Sequence, residues 1–256
     1  MSVAHDVEVL AGAEAFALGE GPVGALIIHG FTSSPQVVRP LGSYLSERGI
    51  AAVAPRLPGH GTTWEDLAVR RDRDWIAAVE AAFDELAAVK ERVFVVGFSF
   101  GASLAVDLVA RRQGRVAGLV TIATYLRSDD PRRFLSGIVP RVLKTIPGVG
   151  NDTADPEGER EIVYDRIPTS AIHQMLRVTK RARAALGSIT VPVLVVHGRN
   201  DHTAKPFNAR LVYDSVASTD KELVWLDRSY HVLPFDHDRD QLFEVTYRFI
   251  RDRSDA

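Results

Sequence analysis

The sequence contains no cysteine. Disulfides, thiol nucleophiles and thiolate metal sites are therefore excluded, while the compartment is left open by this absence. Long apolar runs are also missing. The mildly apolar stretch from Val9 to Ile28 is broken by Glu14, Glu20 and several glycines and does not suffice to span a membrane. No basic segment followed by an apolar core stands at the N-terminus, so a secretory signal is not expected and a soluble, cytoplasmic protein is. Charge of one sign is lacking too: 31 Lys and Arg against 33 Asp and Glu give a formal net charge of −2, with both signs mixed along the chain. Nothing in that balance favours a nucleic-acid partner. Internal repeats, Gly/Ser linkers and low-complexity tracts do not occur. What is present, 256 residues at 46% hydrophobic and 25% charged, is ordinary globular composition and enough for one large α/β domain.

Short apolar runs alternate with longer amphipathic ones. Val7–Leu10 and Ala13–Leu18 flank Ala11-Gly12 and predict a small N-terminal hairpin. Strands are expected at 25–29, 50–54, 92–96, 116–122, 193–197 and 223–226, and helices at 35–48, 72–89, 102–112, 206–216 and 239–251. In the second of these helices Trp75, Ile76, Val79, Phe83 and Leu86 recur at helical spacing. This alternation predicts a mainly parallel, twisted sheet wrapped by helices on both faces, with functional groups at the carboxyl ends of its strands.

The stretch from Tyr125 to Ser188 breaks the rhythm and is too long for an ordinary connection. It is expected to be a small inserted cap over residues 126–187, not an independent domain, on a core formed by 1–125 and 188–256. Within it Phe134, Leu135, Ile138, Val139, Val142, Leu143 and Ile146 form an amphipathic run ended by Pro147-Gly148-Val149-Gly150, and Asn151 to Arg160 is polar. Packed on the core, the run forms a cap helix, which is the expected arrangement. Exposed beside Arg132, Arg133, Arg141 and Lys144, it rests transiently on a lipid surface.

Gly97-Phe98-Ser99-Phe100-Gly101 lies directly between the buried strand Arg92–Val96 and the helix beginning at Ala102. A serine on so tight a turn projects above the sheet, as in the nucleophile elbow of a serine hydrolase. Its hydroxyl needs a base, and the base needs a carboxylate. Asp201, in His197-Gly198-Arg199-Asn200-Asp201, and His231, in Ser229-Tyr230-His231, follow in the chain order Ser, acid, His expected for this fold, each just past a strand. Asp129 and Asp130 follow an earlier strand and are the alternative acids. Among the other histidines, His202 is too close to Asp201 in sequence to be its partner, and His173 lies in the insertion and His5 near the chain end. His29, His60 and His197 read as loop-holding residues. Asp236-His237-Asp238 reads as a solvated helix cap rather than a metal site. The oxyanion donors are expected to be the backbone N–H groups of Phe31 and Phe100, whose rings either wall an acyl pocket or are plain core.

His29-Gly30-Phe31-Thr32-Ser33-Ser34-Pro35, Pro55-Arg56-Leu57-Pro58-Gly59-His60-Gly61, the elbow and Ser229-Tyr230-His231 together resemble the bacterial monoacylglycerol lipases and their carboxylesterase relatives, over nearly the whole chain. The resemblance implies an α/β-hydrolase core, a hydrophobic cap, no cofactor and no metal, and a small-molecule ester substrate with one acyl chain. By the match of Glu159-Arg160-Glu161-Ile162-Val163-Tyr164-Asp165, it also implies that Glu161 accepts hydrogen bonds from a glycerol leaving group. Read from the residues alone, Glu161 is a solvated carboxylate. Gly101-Ala102 replaces the two glycines of many relatives, and Phe98 and Phe100 flank Ser99 where smaller residues are common, both of which narrow the acyl pocket. Asp201-His202-Thr203-Ala204-Lys205-Pro206 is also more polar than the run often found after the acid. The expected activity is hydrolysis of monoacylglycerols or similar medium-chain esters through an acyl-enzyme. The alternatives are a general carboxylesterase for short soluble esters and a triad-bearing ligand receptor. An aspartate would replace Ser99 in a haloalkane dehalogenase, and the oligomeric state is left open.

Overall fold

A computed structural model describes residues 7–130, 136–148 and 150–254. His5, Arg132, Arg133, Phe134, Leu135 and Val149 lie outside the described residues. Strands β1 (Phe16–Leu18), β2 (Val23–Ile28), β3 (Ala51–Ala54), β4 (Arg92–Phe98), β5 (Gly118–Ile122), β8 (Val193–Gly198) and β9 (Lys221–Leu226) form one sheet in the order β1-β3-β2-β4-β5-β8-β9. Only β1 runs antiparallel to its neighbour. Two short strands, β6 (Thr145–Pro147) and β7 (Arg166–Pro168), pair separately as an antiparallel ribbon.

Both faces of the sheet are covered, which is why its strands read as continuous apolar runs. Successive side chains go to opposite cores. Leu26, Ile28, Val93, Val95, Leu119, Val193 and Val195 join one, with helices α3 (Asp72–Val89), α4 (Phe100–Arg112), α5 (Thr169–Ala185) and α6 (Phe207–Ser215). Ala25, Ile27, Phe94, Val96, Val120, Leu194 and Val196 join the other, with α1 (Arg39–Ser46) and α7 (Arg239–Asp252). On α3 the apolar spacing buries Trp75, Val79, Phe83 and Leu86 along one stripe. Truncating Trp75 or Phe83 to Ala removes fully buried ring volume and costs about 3–5 kcal/mol.

Three expectations are corrected. Residues 7–10 form no strand. Val7 and Leu10 are exposed, so a lone hairpin there has no apolar face to bury, and Phe16–Leu18 instead extends the sheet along β3. A short helix, α2 (Trp64–Val69), capped by the Thr63 hydroxyl accepting from the Asp66 N–H, stands where none was expected. The described part of the 134–146 run is not a packed helix. From Val139 it makes a single 3-10 turn through Pro140 and enters β6 at Thr145, leaving Ile138, Val142 and Leu143 60%, 82% and 48% exposed. Pro140 lacks an N–H and disfavours helical backbone at the residue before it, so the apolar periodicity does not become a helix.

The 126–187 stretch divides in two. Its second part, α5, packs on α4 and buries Ala171, Met175, Val178 and Ala182 in the larger core. Ahead of it, residues 150–165 form a strap, mostly irregular among the described residues, on the way from β6 to β7. Among the described residues no helix is long and apolar enough to cross a membrane.

Candidate active site

Strand register sets where the site forms. Ile28 pairs with Gly97, Phe98 with Ile122, Ile122 with Val196, and Gly198 with Leu226. The parallel strands therefore end level with one another, and the loops after β2, β4, β8 and β9 emerge along one edge.

Ser99 occupies the turn between β4 and α4 with φ +55° and ψ −117°, a conformation disfavoured for a residue with a side chain. Its N–H donates to the Ile122 carbonyl (2.8 Å), and its carbonyl accepts from the N–H groups of Ala102 (3.1 Å) and Tyr125 (3.2 Å), so the surroundings hold the strain in place. The flanking glycines supply space rather than positive φ. A Cβ on Gly97 would stand 2.4 Å from Ala102 Cα, and one on Gly101 would stand 2.2 Å from the Ile28 carbonyl oxygen. Helix and strand approach too closely there for any side chain.

His231 Nε2 lies 2.9 Å from Ser99 Oγ, and His231 Nδ1 lies 2.8 Å from Asp201 Oδ2. An ionised carboxylate only accepts, so Nδ1–H donates to Asp201 and Nε2 is left with its lone pair facing the serine hydroxyl. Asp201 is buried at the start of the loop after β8. Its Oδ1 accepts from the N–H groups of Thr203 (2.9 Å) and Ala204 (2.6 Å), and His197 Nε2 stands 3.3 Å from Oδ2. Burial alone would raise its carboxyl, but the facing His231 and the hydrogen bonds from both imidazoles outweigh this and hold it well below the usual carboxylate range. For His231, burial opposes the charged form. The Asp201 carboxylate, with Glu161 and Asp152 behind it, overcomes that and raises the imidazole above its ordinary value. The alternative acid Asp129 instead pairs with Lys205.

Phe100 is the first residue of α4, so its N–H has no acceptor one turn back in the helix. Phe31 follows β2 on the neighbouring loop. Both line a cavity of about 690 Å³ with Ser99 and His231. Their rings also meet each other (5.8 Å between centroids), and Trp75 and His60 extend the cluster, so pocket wall and core are one structure here. Phe98 lies against the His231 ring on the other side. His29 accepts from the Leu57 N–H at Nε2 and donates from Nδ1 to the Gly30 carbonyl. Burial keeps His29 neutral, and it lowers His60 to about 4. Both hold loops.

Ile146, Val163, Ile167, Ile172 and Met175 give the cavity its apolar lining, and Ser33, Asn151 and Glu161 give it polar groups. Glu161 is half-buried rather than solvated. Its Oε1 accepts from the Ser33 hydroxyl (2.7 Å), its N–H donates to Asn151 Oδ1 (3.1 Å), and burial raises its carboxyl. The Asp236-His237-Asp238 expectation is also corrected. Both carboxylates are buried and turn back into the histidine loop: Asp236 accepts from the Tyr230 N–H (2.8 Å), and Asp238 accepts from the N–H and Nε of Arg228 (both 2.8 Å). Among the described residues no cluster of His, Asp and Glu could hold a metal ion.

Three residues that contact this site were not singled out by the sequence. Ser33 and Asn151 flank Glu161, and Asp152 binds the loops of both Asp201 and His231. Their partners stand from 10 to 128 positions away along the chain.

The sheet order, the strained serine turn and the histidine at the strand edge define an α/β-hydrolase. A family model described as serine aminopeptidase, S33 matches residues 24–238. The chain is 35% identical to the thermostable monoacylglycerol lipase of Bacillus sp. (strain H-257), over 94% of this chain and 95% of that one. It is 26% identical to the carboxylesterase of Bacillus subtilis (strain 168), over 92% and 95%. A solved structure of a metagenome-derived lipolytic enzyme superposes with a TM-score of 0.93 at 34% identity, covering 96% of this chain and all of that one. The chain belongs to the serine aminopeptidase S33 family of α/β-hydrolases.

Proposed function

We propose that the protein hydrolyses monoacylglycerols and similar medium-chain carboxylic esters through an acyl-enzyme on Ser99. The observation that carries this reading is the Ser99–His231–Asp201 hydrogen-bonded chain opening onto a cavity with both an apolar lining and a polar group at Glu161. Ser99 Oγ attacks the ester carbonyl carbon as His231 Nε2 takes its proton, and Asp201 stabilises the imidazolium. The N–H groups of Phe31 and Phe100 receive the oxyanion, a contribution worth about 2.7–4 kcal/mol per donor where one has been removed in other enzymes. His231 then protonates the departing alcohol, and water attacks the acyl-enzyme by the reverse path. The acyl chain lies along Ile167, Ile172 and Met175, and Glu161 with Ser33 faces the alcohol.

Ile138, Val142 and Leu143, exposed beside Arg141 and Lys144, are proposed to touch a lipid surface transiently and so deliver poorly soluble substrate to the cavity. A general carboxylesterase acting on short soluble esters is the second reading. It is favoured by the likeness to the Bacillus subtilis carboxylesterase along most of both chains. The test is kcat/KM across an ester series from acetyl to palmitoyl, monoacylglycerols included, with Ser99→Ala as blank. A maximum at medium-chain monoacylglycerols supports the first reading. A maximum at short soluble esters, with glycerides poor, replaces it by the second.

A further inference from the structure

The acid and the base of the triad come from loops after different strands, β8 and β9, and one strap residue binds both. The main-chain carbonyl of Asp152 accepts from the N–H groups of His231 (2.9 Å) and Val232 (3.0 Å). Its carboxylate faces the acid loop. There Oδ2 accepts from the N–H groups of His202 (3.1 Å) and Thr203 (3.1 Å) and from the Thr203 hydroxyl (3.0 Å), while Oδ1 accepts from His202 Nδ1 (2.9 Å). Thr203 N–H is shared with Asp201 Oδ1, so the Asp152 carboxylate grips the same amide that orients the catalytic acid. A few residues on, the strap is anchored a second time. The N–H groups of Ala154 (2.9 Å) and Asp155 (3.1 Å) donate to the Asp236 carboxylate, which also holds Tyr230 next to His231.

Loop amides that carry catalytic side chains need acceptors, and an ionised carboxylate is among the strongest available. With the strap lifted, the His231, Val232 and His202 amides would each lose the acceptor described here. The same strap carries Asn151 and Glu161 on the cavity wall. We propose that Asp152 is a positioning residue for catalysis: seating the strap over the cavity and aligning Asp201 with His231 are one event, so the triad is complete only beneath a seated strap. This inference rests on the assignment of Ser99, Asp201 and His231 proposed above.

The test compares Asp152→Ala and Asp152→Asn with the wild type and with Ser99→Ala. It measures kcat and KM on a short soluble aryl ester, the pH profile, the melting temperature, and amide hydrogen exchange at residues 200–204 and 230–232. Asp152→Ala is expected to lose roughly 10- to 100-fold in kcat with KM little changed, the scale of a small misplacement of reacting groups. Exchange at His231 and Val232 should quicken as well, although their acceptor is a main-chain carbonyl that the substitution leaves in the chain. Only coupling through the strap produces that effect.

Asp152→Asn keeps the size but removes one of the charges facing His231. The others are Asp201 and Glu161, while Phe98 packs on the ring. The acid limb of its profile should therefore move to lower pH, with a smaller loss of kcat, and this variant carries the test if the alanine form does not fold. Unchanged kcat in both variants, or exchange altered at 202–204 alone, would overturn the coupling while leaving the triad intact. Full activity in Ser99→Ala would overturn the triad assignment itself, and the coupling with it.

Discussion

The carboxyl edge of the sheet and the strap above it are built by opposite means. At the edge, position is set by regular structure: Ser99 is held by β4, α4 and the Ile122 carbonyl, and glycines at 97 and 101 allow backbone to meet backbone. In the strap, position is set by individual side chains. Asp152, Asp236 and Gln36, whose Oε1 accepts from the Ile162 N–H, tie irregular backbone to distant loops, and Asn151 braces the strap internally at the Glu161 N–H. The first kind of construction fixes chemistry that every ester of this class needs. The second lines the cavity and ties it to the loops of Asp201 and His231, and it can change residue by residue without disturbing the sheet.

Substitutions at the edge should therefore be far more severe than those in the strap. Ser99→Ala should lower kcat on the order of 10⁶-fold while the protein stays folded, as checked by steady-state kinetics alongside circular dichroism. Asp201→Asn should cost about 10⁴-fold.

The pH dependence follows from the same groups. As the proposed base, His231 would act only when neutral, and the Asp201 carboxylate raises its pKa above the ordinary 6.5 against the opposing effect of burial. Activity in kcat/KM should thus fall as pH drops through a value above 6.5, and in Asp201→Asn that limb should move to lower pH. The stability linkage has opposite signs at the two partners. The raised His231 contributes stability below its unfolded value that is lost as pH rises through the folded one. The depressed Asp201 contributes stability above its unfolded value that is lost as pH falls.

On the cavity wall at Glu161 and on the exposed segment before β6, effects should be selective rather than total. Glu161→Gln should raise KM for monoacylglycerols about tenfold, the scale of one charged hydrogen bond, and leave short aryl esters nearly unchanged. Equal effects on both substrates would remove Glu161 from alcohol recognition. Smaller still, Val142→Asp should weaken sedimentation with phospholipid vesicles by roughly threefold to tenfold without altering turnover of soluble esters.

The same contrast governs what the sequence discloses. Alternating burial on two faces writes β4, β5 and β8 into the chain as apolar runs, and the stripe on α3 appears at its full extent, 72–89. Ser99, Asp201 and His231 stand out in the sequence because each follows a strand, and the fold brings their side chains within hydrogen-bond distance. The run around Ile138–Ile146 misled because apolar periodicity outweighed Pro140 in the reading, whereas the missing N–H decides the backbone. Asp152 was invisible: a carboxylate in a polar loop looks solvated until the loops it serves, 50 and 79 positions further on, are folded against it. Asp236 and Asp238 were misread as a solvated cap for the same reason, since their partners include strap and loop amides rather than their own helix.

The most direct test of the central claim is intact and peptide mass spectrometry after reaction with a fluorophosphonate ester, whose phosphorus an activated serine attacks with loss of fluoride. The account predicts a single adduct per chain, located on Ser99, forming in step with loss of esterase activity and absent from Ser99→Ala. Full inactivation with the adduct on another residue, or retained activity with Ser99 fully modified, would contradict it.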